Sequence, residues 1–271
     1  MAFQMRNFVI DRIRRGFMTH SSTGEVLWCL NQIENPTLNV TAETADAVDA
    51  LGTPIASFNR AKQAEFSAES SLFDLGLLAA QSGTEISDAS TANKYAVPCP
   101  EELTVTTADT VTLARTPIDG SLKFVYVLNG DGSLGTRYTI GESAGENTVS
   151  AAGKVITFAE GKAPVGSRWF AFYEYEASDE AGYGASQVVN TAIDFPTAGR
   201  FVMEVLGADV CDPSTLYFAI VEFPNAKMMS DFDLSFTTDS KHPFTLRAMQ
   251  EYCDAEKILF RIIIPENAIA G

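Results

Sequence analysis

The chain has 271 residues, 46% of them hydrophobic, with 35 Asp plus Glu against 19 Lys plus Arg and a formal charge of −16. That length and apolar content predict one or two domains with a full core. A surface so acidic disfavours a conventional nucleic-acid grip, although DNA could slide past such a wall without sticking. No apolar run reaches the roughly 18 residues a membrane-spanning helix needs, and residues 1–16 lack the apolar segment and cleavage site of a secretory signal. Cys29, Cys99, Cys211 and Cys253 show no paired spacing and read as buried thilos of a protein matured in a reducing cytoplasm.

In chain order, residues 1–25 read as an arm. It is basic on an otherwise acidic chain through Arg6, Arg12, Arg14 and Arg15, with an apolar anchor at Phe8, Val9 and Ile10. Two readings stay open, docking on a partner's acidic face and a loosely held terminus. Residues 26–30 form a short strand containing Trp28, and Asn35-Pro36 launches a long two-stranded ribbon over 37–67. Strict alternation puts Leu38, Val40 and Ala42 on one face and Asn39, Thr41 and Glu43 on the other. A turn at 50–53 leads into a second extended run, 55–66. Ser71-Leu72-Phe73-Asp74 has the form of a capping box before the apolar run 75–80, and Gly83 stops the helix.

Residues 82–96 have linker composition. Beyond them the texture changes to short alternating strands at 103–107, 111–114, 123–128, 137–140, 155–158 and 169–175, which predicts a small immunoglobulin-like β-sandwich over 98–178. Linkers on both sides of it argue for insertion into a host fold, so that 1–97 and 179–271 are two parts of one domain. In the second part, 200–206 and 216–223 read as central strands. Residues 232–237 alternate with Phe232, Leu234 and Phe236 inward, 244–248 continue the pattern, and 258–264 form the last strand.

Little in the chain suggests catalysis. Gly130, Gly132 and Gly135 match a dinucleotide fingerprint in spacing only, since extended runs lie on both sides and the motif needs a helix after it. A calcium loop at the same place would need Glu where Ile140 stands. The two histidines, His20 and His242, belong to an arm and a turn, and no pair among the acidic residues stands out as acid and base. No catalytic residue, cofactor or metal is therefore expected. The polar residues of the ribbon carry more information. Asn39, Thr41 and Glu43 with Asn59, Gln63 and Glu65 make a neutral-to-acidic stripe, which is either the solvated face of an ordinary sheet or the wall of a channel closed by several copies. Arg60 and Lys62 fall on the opposite parity and are expected to pair with a neighbouring subunit. An exposed edge this long is an aggregation hazard unless a partner covers it.

Residues 38–83 (LNVTAETADAVDALGTPIASFNRAKQAEFSAESSLFDLGLLAAQSG) and 224–266 (PNAKMMSDFDLSFTTDSKHPFTLRAMQEYCDAEKILFRIIIPE) resemble segments of the tail tube proteins of tailed bacteriophages. The resemblance implies a mainly β, sandwich- or barrel-like subunit with one flanking helix, self-assembled into stacked, sixfold rings. Long hairpins would form a continuous inner barrel through which DNA passes during ejection. It further implies that the ribbon is channel wall and that the arm with Arg6, Arg12, Arg14 and Arg15 is an inter-ring contact. The inserted sandwich would be an external immunoglobulin-like decoration, although such decorations are often appended at the C-terminus. Other tail proteins at the tube ends would be the further partners, in a virion tail assembled in the host cytoplasm. Two rival readings are another virion component, such as a capsid decoration or tail-completion protein, and a carbohydrate-binding or hydrolytic protein. The second would use Trp169, Tyr173 and Tyr175, which share a strand face, as a sugar platform; the same face turned inward is core.

Overall fold

The computed structural model describes residues 5, 7–250, 256–266 and 268–269, the last two by backbone alone. They divide into two compact units, one from the described parts of Met1–Ile86 and Val188–Gly271, the other from Ser87–Gln187. The first unit opens with strands β1 (Phe8–His20), β2 (Val26–Leu30), β3 (Ile33–Val48) and β4 (Pro54–Ser70) and the helix α1 (Leu75–Ser82). The second contains β5 (Ser87–Asp88), β6 (Tyr95–Thr104), β7 (Thr110–Thr112), β8 (Phe124–Leu128), β9 (Leu134–Gly141), β10 (Thr148–Ala152), β11 (Val155–Thr157), β12 (Arg168–Ala177) and β13 (Ser186–Gln187). The first resumes with β14 (Ala198–Asp209), β15 (Asp212–Met228), β16 (His242–Ala248), β17 (Arg261–Ile263) and β18 (Ala268–Ile269). The protein is mainly β, with a single α-helix among the described residues.

The first unit is built on one sheet in the order β2-β1-β14-β15-β16-β4-β3, with β17 and β18 also pairing to β15. β15 changes partner along its length: Ala226, Lys227 and Met228 pair with β16, whereas Ile220, Val221 and Glu222 pair with β17. The sheet bends around an aromatic core. Phe66 lies 5.2 Å from Phe201 and 6.0 Å from Phe223 by ring centroid, and Trp28 lies 5.7 Å from Phe201 and 5.4 Å from Phe244. Alternation explains which residues these are. On β14, Phe201, Met203 and Val205 turn inward while Arg200, Val202 and Glu204 turn out. Leu77 of α1, fully buried, packs into the same cluster.

Four expectations need correction in this unit. From Phe8 onward the basic arm is strand β1, paired with β14 from Phe8 opposite Asp209 to His20 opposite Gly199. The arginines do not prevent this because a two-sided strand keeps them on its outer face, where the Arg15 Nε and Nη2 groups each donate to Glu204 at 2.9 Å. The helix cap is Asp74 rather than Ser71: its Oδ1 accepts from the Leu77 backbone N–H at 2.7 Å, and Gly83 ends the helix at φ 71°. A side chain at Gly83 would also run into the backbone of Phe195. Residues 232–237 alternate in sequence but form no strand, because no neighbouring strand pairs with them, and Phe236 is exposed. Cys29 and Cys211 are exposed rather than buried; Cys29 alternates outward between the buried Trp28 and Leu30. Cys253 and Arg6 lie outside the described residues.

In the unit Ser87–Gln187 the strands hydrogen-bond as a single sheet, β6-β12-β8-β9-β10-β11-β7, whose two end strands also lie near one another. Its core holds Trp169, Tyr173, Tyr138 and Phe158, with Phe158 and Trp169 ring centroids 4.2 Å apart. At the neck, β5 pairs with β13, and the Tyr95 hydroxyl donates to the carbonyls of Ser87 at 3.1 Å and Ala185 at 2.7 Å. Gly130, Gly132 and Gly135 lie at the β8–β9 hairpin. Its turn is closed by Asn129 N–H to Ser133 O at 2.9 Å, which is the strand-to-strand context that rules out a dinucleotide loop.

Candidate assembly interface

The ribbon β3–β4 is one antiparallel ladder, yet its environment changes midway. Near its base, β4 alternates as a half-buried strand should: Ala64, Phe66, Ala68 and Ser70 are buried and Glu65 is exposed. From residue 39 to residue 63, every residue except Ala45 is exposed, on both faces. The ladder nonetheless runs out to Val48 opposite Pro54. The ten steps along the strand from Leu38 to Val48 span roughly 33 Å at the usual rise. Asp49 closes the tip, its Oδ1 accepting from the Leu51 and Thr53 backbone N–H groups at 2.8 and 2.9 Å, with Gly52 at φ 85°. Leu51 is 91% exposed and Ile55 72% exposed, and Val40, Val48 and Phe58 are also exposed. Two strands without a sheet on either face bury almost nothing, so this half carries little stability of its own.

The register decides which polar residues share a face, because residues opposite one another in an antiparallel pair point the same way. Asn39 stands opposite Glu65, and Thr41 opposite Gln63, on the face away from the aromatic core. The next pair on that face is Glu43 with Arg60, and Asn59 falls on the other face, opposite Thr44. The reason is a bulge on β4 where Ala61 takes a left-handed conformation at φ 48°, inserting one residue between Arg60 and Gln63. The stripe therefore holds Asn39, Thr41, Glu43, Gln63 and Glu65 together, exchanges Asn59 for Arg60, and leaves Lys62 in the bulge. It continues onto β16, where Arg247 stands opposite Glu65 and donates to Gln63 Oε1 at 2.6 Å. Arg60 and Arg247 thus each have a carboxylate opposite them in register, Glu43 and Glu65, which offsets their charge on this face.

The same outer face carries an ion triad on the central strands. Glu222 is 3% exposed and accepts from Arg200 Nε and Arg261 Nε, both at 2.7 Å. Burial alone would raise its carboxyl pKa, but Arg261 and Arg200 more than offset this and hold it below the ordinary value. Nothing in the sequence signalled the triad, since its members are separated by 22 and 39 positions and meet only through sheet pairing. Arg12 and Arg14 lie on β1, Arg14 with its guanidinium 5.2 Å from the Phe218 ring centroid and 3.6 Å from Glu204.

Other candidate chemistry has structural employment. His20 Nδ1 accepts from the Ser22 and Thr23 backbone N–H groups in the β1–β2 turn, at 3.3 and 3.4 Å. His242 is buried, its Nε2 bonded to Gln81 Oε1 at 2.7 Å and its ring stacked on Phe73. Trp169 and Tyr173 sit in the core at 1% and 0% exposure, which removes them from a sugar platform. The Tyr173 hydroxyl donates to Glu101 Oε2 at 2.7 Å, and its pKa is raised by burial first, then by the Cys99 side chain and by that bond. Among the described residues no group of three or more His, Cys, Asp or Glu side chains could hold a metal, and no helix is long and apolar enough to cross a membrane.

No curated protein matches the chain. Residues 8–259, from the first strand to just short of β17, match the YomU/Tube protein family. The match takes in the ribbon, its bulge and the inserted unit together. The chain belongs to the YomU/Tube protein family, as a phage tail tube protein would.

Proposed function

We propose that this protein is the wall-forming subunit of a phage tail tube, assembled from stacked rings of identical copies with the sixfold symmetry that the resemblance implies. The observation that carries the reading is the distal ribbon: about ten residues of each strand, fully laddered, with neither face packed. Such a ribbon gains its missing contacts when neighbouring copies add strands edge to edge until the ring closes and no edge is left open. The stripe Asn39, Thr41, Glu43, Gln63 and Glu65, with Arg60 opposite a carboxylate, then faces the lumen. Tight DNA binding requires many uncompensated cations, and this face offers none in excess, so DNA passes through during ejection without being held. The unit Ser87–Gln187 acts as an external immunoglobulin-like decoration, and strand β1 with the residues before it bridges rings. The protein resides in the virion tail after assembly in the host cytoplasm, contacts other tail proteins at the tube ends, and performs no catalysis.

Negative-stain microscopy of the purified chain tests this. Long hollow tubes or stacked rings are expected; discrete trimers would favour a different virion component, and monomers at every concentration would reject assembly altogether. Hydrogen exchange adds a second readout. Amides of residues 39–63 should exchange fast in the free chain and become protected in assembled particles, because their stability is expressed on assembly.

A further inference from the structure

The unit Ser87–Gln187 carries an aromatic depression on the side of its sheet away from its core. On β12, Trp169, Ala171 and Tyr173 turn inward, so Phe170, Phe172 and Glu174 turn out. Phe170 stands opposite Tyr126 of β8, which places Tyr126 and Phe124 on the same outer face. A depression of about 510 Å³ there, within the size range of small-molecule sites, is lined by Phe124, Tyr126, Phe172, Asp119, Lys123 and Glu174. Phe172 is 50% exposed. The rim is held in place by the backbone. Ile118 N–H and Ser121 Oγ both donate to the Glu174 carbonyl, at 2.8 and 3.1 Å, and the Ser121 hydroxyl accepts from the Glu174 N–H at 3.2 Å.

The side chains around this depression, by contrast, are unengaged. The Asp119 and Glu174 carboxylates, the Lys123 ammonium and the Tyr126 hydroxyl make no hydrogen bond or ion pair among the described residues. That set narrows the ligand. An anion would satisfy Lys123 but meet two carboxylates. A lone cation would satisfy the carboxylates but leave Lys123 facing like charge, and the Arg137 guanidinium already lies over Phe124, 4.7 Å from its ring centroid. An apolar side chain would take the charged groups out of water with nothing to bond them. A pyranose ring suits them all. Its hydroxyls donate to the carboxylates and accept from Lys123 and Tyr126, while its weakly positive C–H face lies on the negative face of an aromatic ring. We propose that this outer face binds a neutral carbohydrate, with Phe172 as the stacking platform and Asp119, Glu174 and Lys123 orienting the hydroxyls. The inference gives a ligand to the unit read above as an external decoration, and it holds whether or not copies of the chain assemble.

Saturation-transfer NMR on the full chain tests this with maltohexaose, cellohexaose and chitohexaose, one at a time. At least one of them should receive saturation, most strongly at its ring C–H protons. Phe172→Ala should weaken that binding on the order of tenfold. Glu174→Gln, which exchanges a charged acceptor for a neutral one, should weaken it several-fold. Phe236→Ala, at an exposed ring of the other unit, should leave it unchanged. Circular dichroism checks folding, and Glu174→Gln decides the matter should the Phe172 variant unfold. No transfer to any of the three sugars, undiminished transfer in either folded variant, or displacement of the sugar by tetramethylammonium would overturn the inference. Loss of tubes in Phe172→Ala without any sugar signal would assign the face to contacts between copies and overturn it as well. Tubes without sugar binding leave the assembly reading standing, and sugar binding without tubes leaves this one standing.

Discussion

Base and tip of the ribbon are the same two strands under different conditions. At the base, Phe66 and Ala68 of β4 face the aromatic core and Leu38 packs against it, while β16 covers the strand's other edge. Eight residues farther out along β4 the hydrogen-bond ladder continues, but Phe58 is 53% exposed and no third strand pairs there among the described residues. Backbone pairing alone does not make a stable two-stranded ribbon in water; a packed face does. The base therefore draws its stability from the subunit's own core, whereas the distal half lacks a packed face and, on the proposed reading, gains one from a neighbour.

The sharpest way to break this comparison is at the joint between the halves. The bulge at Ala61 bends and twists the ribbon and so aims the distal half. Deleting Ala61 keeps Thr41 opposite Gln63 and Glu43 opposite Arg60 but removes the bend. Tubes should disappear from negative-stain fields, while the thermal midpoint of the free chain moves by no more than about 2 °C. Ala61→Gly supplies the control: it keeps the bulge, relieves the left-handed conformation by about 1 kcal/mol, and should leave assembly intact. Tubes of normal length from the deletion variant would show that the ribbon's direction does not matter.

The next effect compares one residue type in both halves. Phe66→Ala opens a cavity among Phe201, Phe223 and Phe244 and should cost about 3–5 kcal/mol in chemical denaturation. Phe58→Ala on the same strand should change the free chain by less than about 0.5 kcal/mol. Similar losses at both positions would mean that the distal half already packs within one molecule.

How much of this could be read from residues alone follows the same division. Strands that alternate against a core were legible: β2, β16 and the central runs of β14 and β15 fall where their apolar periodicity puts them. The ribbon's existence and turn were legible too, because Asp49 and Gly52 write the turn chemistry into the sequence. Its facing was not. The bulge sits at an alanine, which carries no signature of a left-handed conformation, and it moved Asn59 off the stripe and Arg60 onto it. Strand β1 was hidden by its arginines, which read as a solvated arm until Glu204 on β14 supplied their partner. The converse error occurred at residues 232–237, where alternation is present and a neighbouring strand is not. Strand β10 was missed because its sequence, Thr-Val-Ser-Ala-Ala, offers a single large apolar residue, Val149. Periodicity describes a strand's faces and is silent about its edges.

Within the subunit the comparison sharpens at β17, the short strand that closes the sheet beside β15. Glu222→Gln keeps side-chain volume but removes the charge that binds Arg200 and Arg261. Both guanidinium groups are about half exposed, at 57% and 49%, and can rehydrate, so the cost should be about 1–2 kcal/mol. Exchange at the amides of residues 261–263 should accelerate, since Arg261 pairs with Glu222 through the backbone as well. The carboxyl is held below its ordinary pKa, so its contribution is complete above about pH 4.3 and is lost as pH falls through the folded-state value. The gap between wild type and Glu222→Gln should therefore narrow in acid, and a gap independent of pH would assign the cost to packing instead.

The smallest effect separates the helix side of the core from both halves of the ribbon. Burial lowers the pKa of His242, against the smaller opposing influence of the Asp74 carboxylate. Gln81 Nε2 donates to the Pro243 carbonyl at 2.8 Å, which leaves Gln81 Oε1 to accept from His242 Nε2–H and makes the imidazole a neutral donor; His242 Nδ1 is buried without a hydrogen-bond partner. The unfolded chain takes up this proton near pH 6.5, whereas the folded chain resists it, so stability is complete above that pH and declines below it. The slope of the decline cannot exceed about 1.4 kcal/mol per pH unit, the limit set by one proton. Comparing pH slopes rather than absolute stabilities isolates the proton from packing: His242→Leu will be destabilised at every pH, because Gln81 loses its donor, but its curve should be flat between pH 6.5 and 5.5. Measured on the free chain, this slope should be unchanged by deletion of Ala61, because His242 pairs with Ser70 at the base of β4 and the deleted residue lies in the exposed distal half.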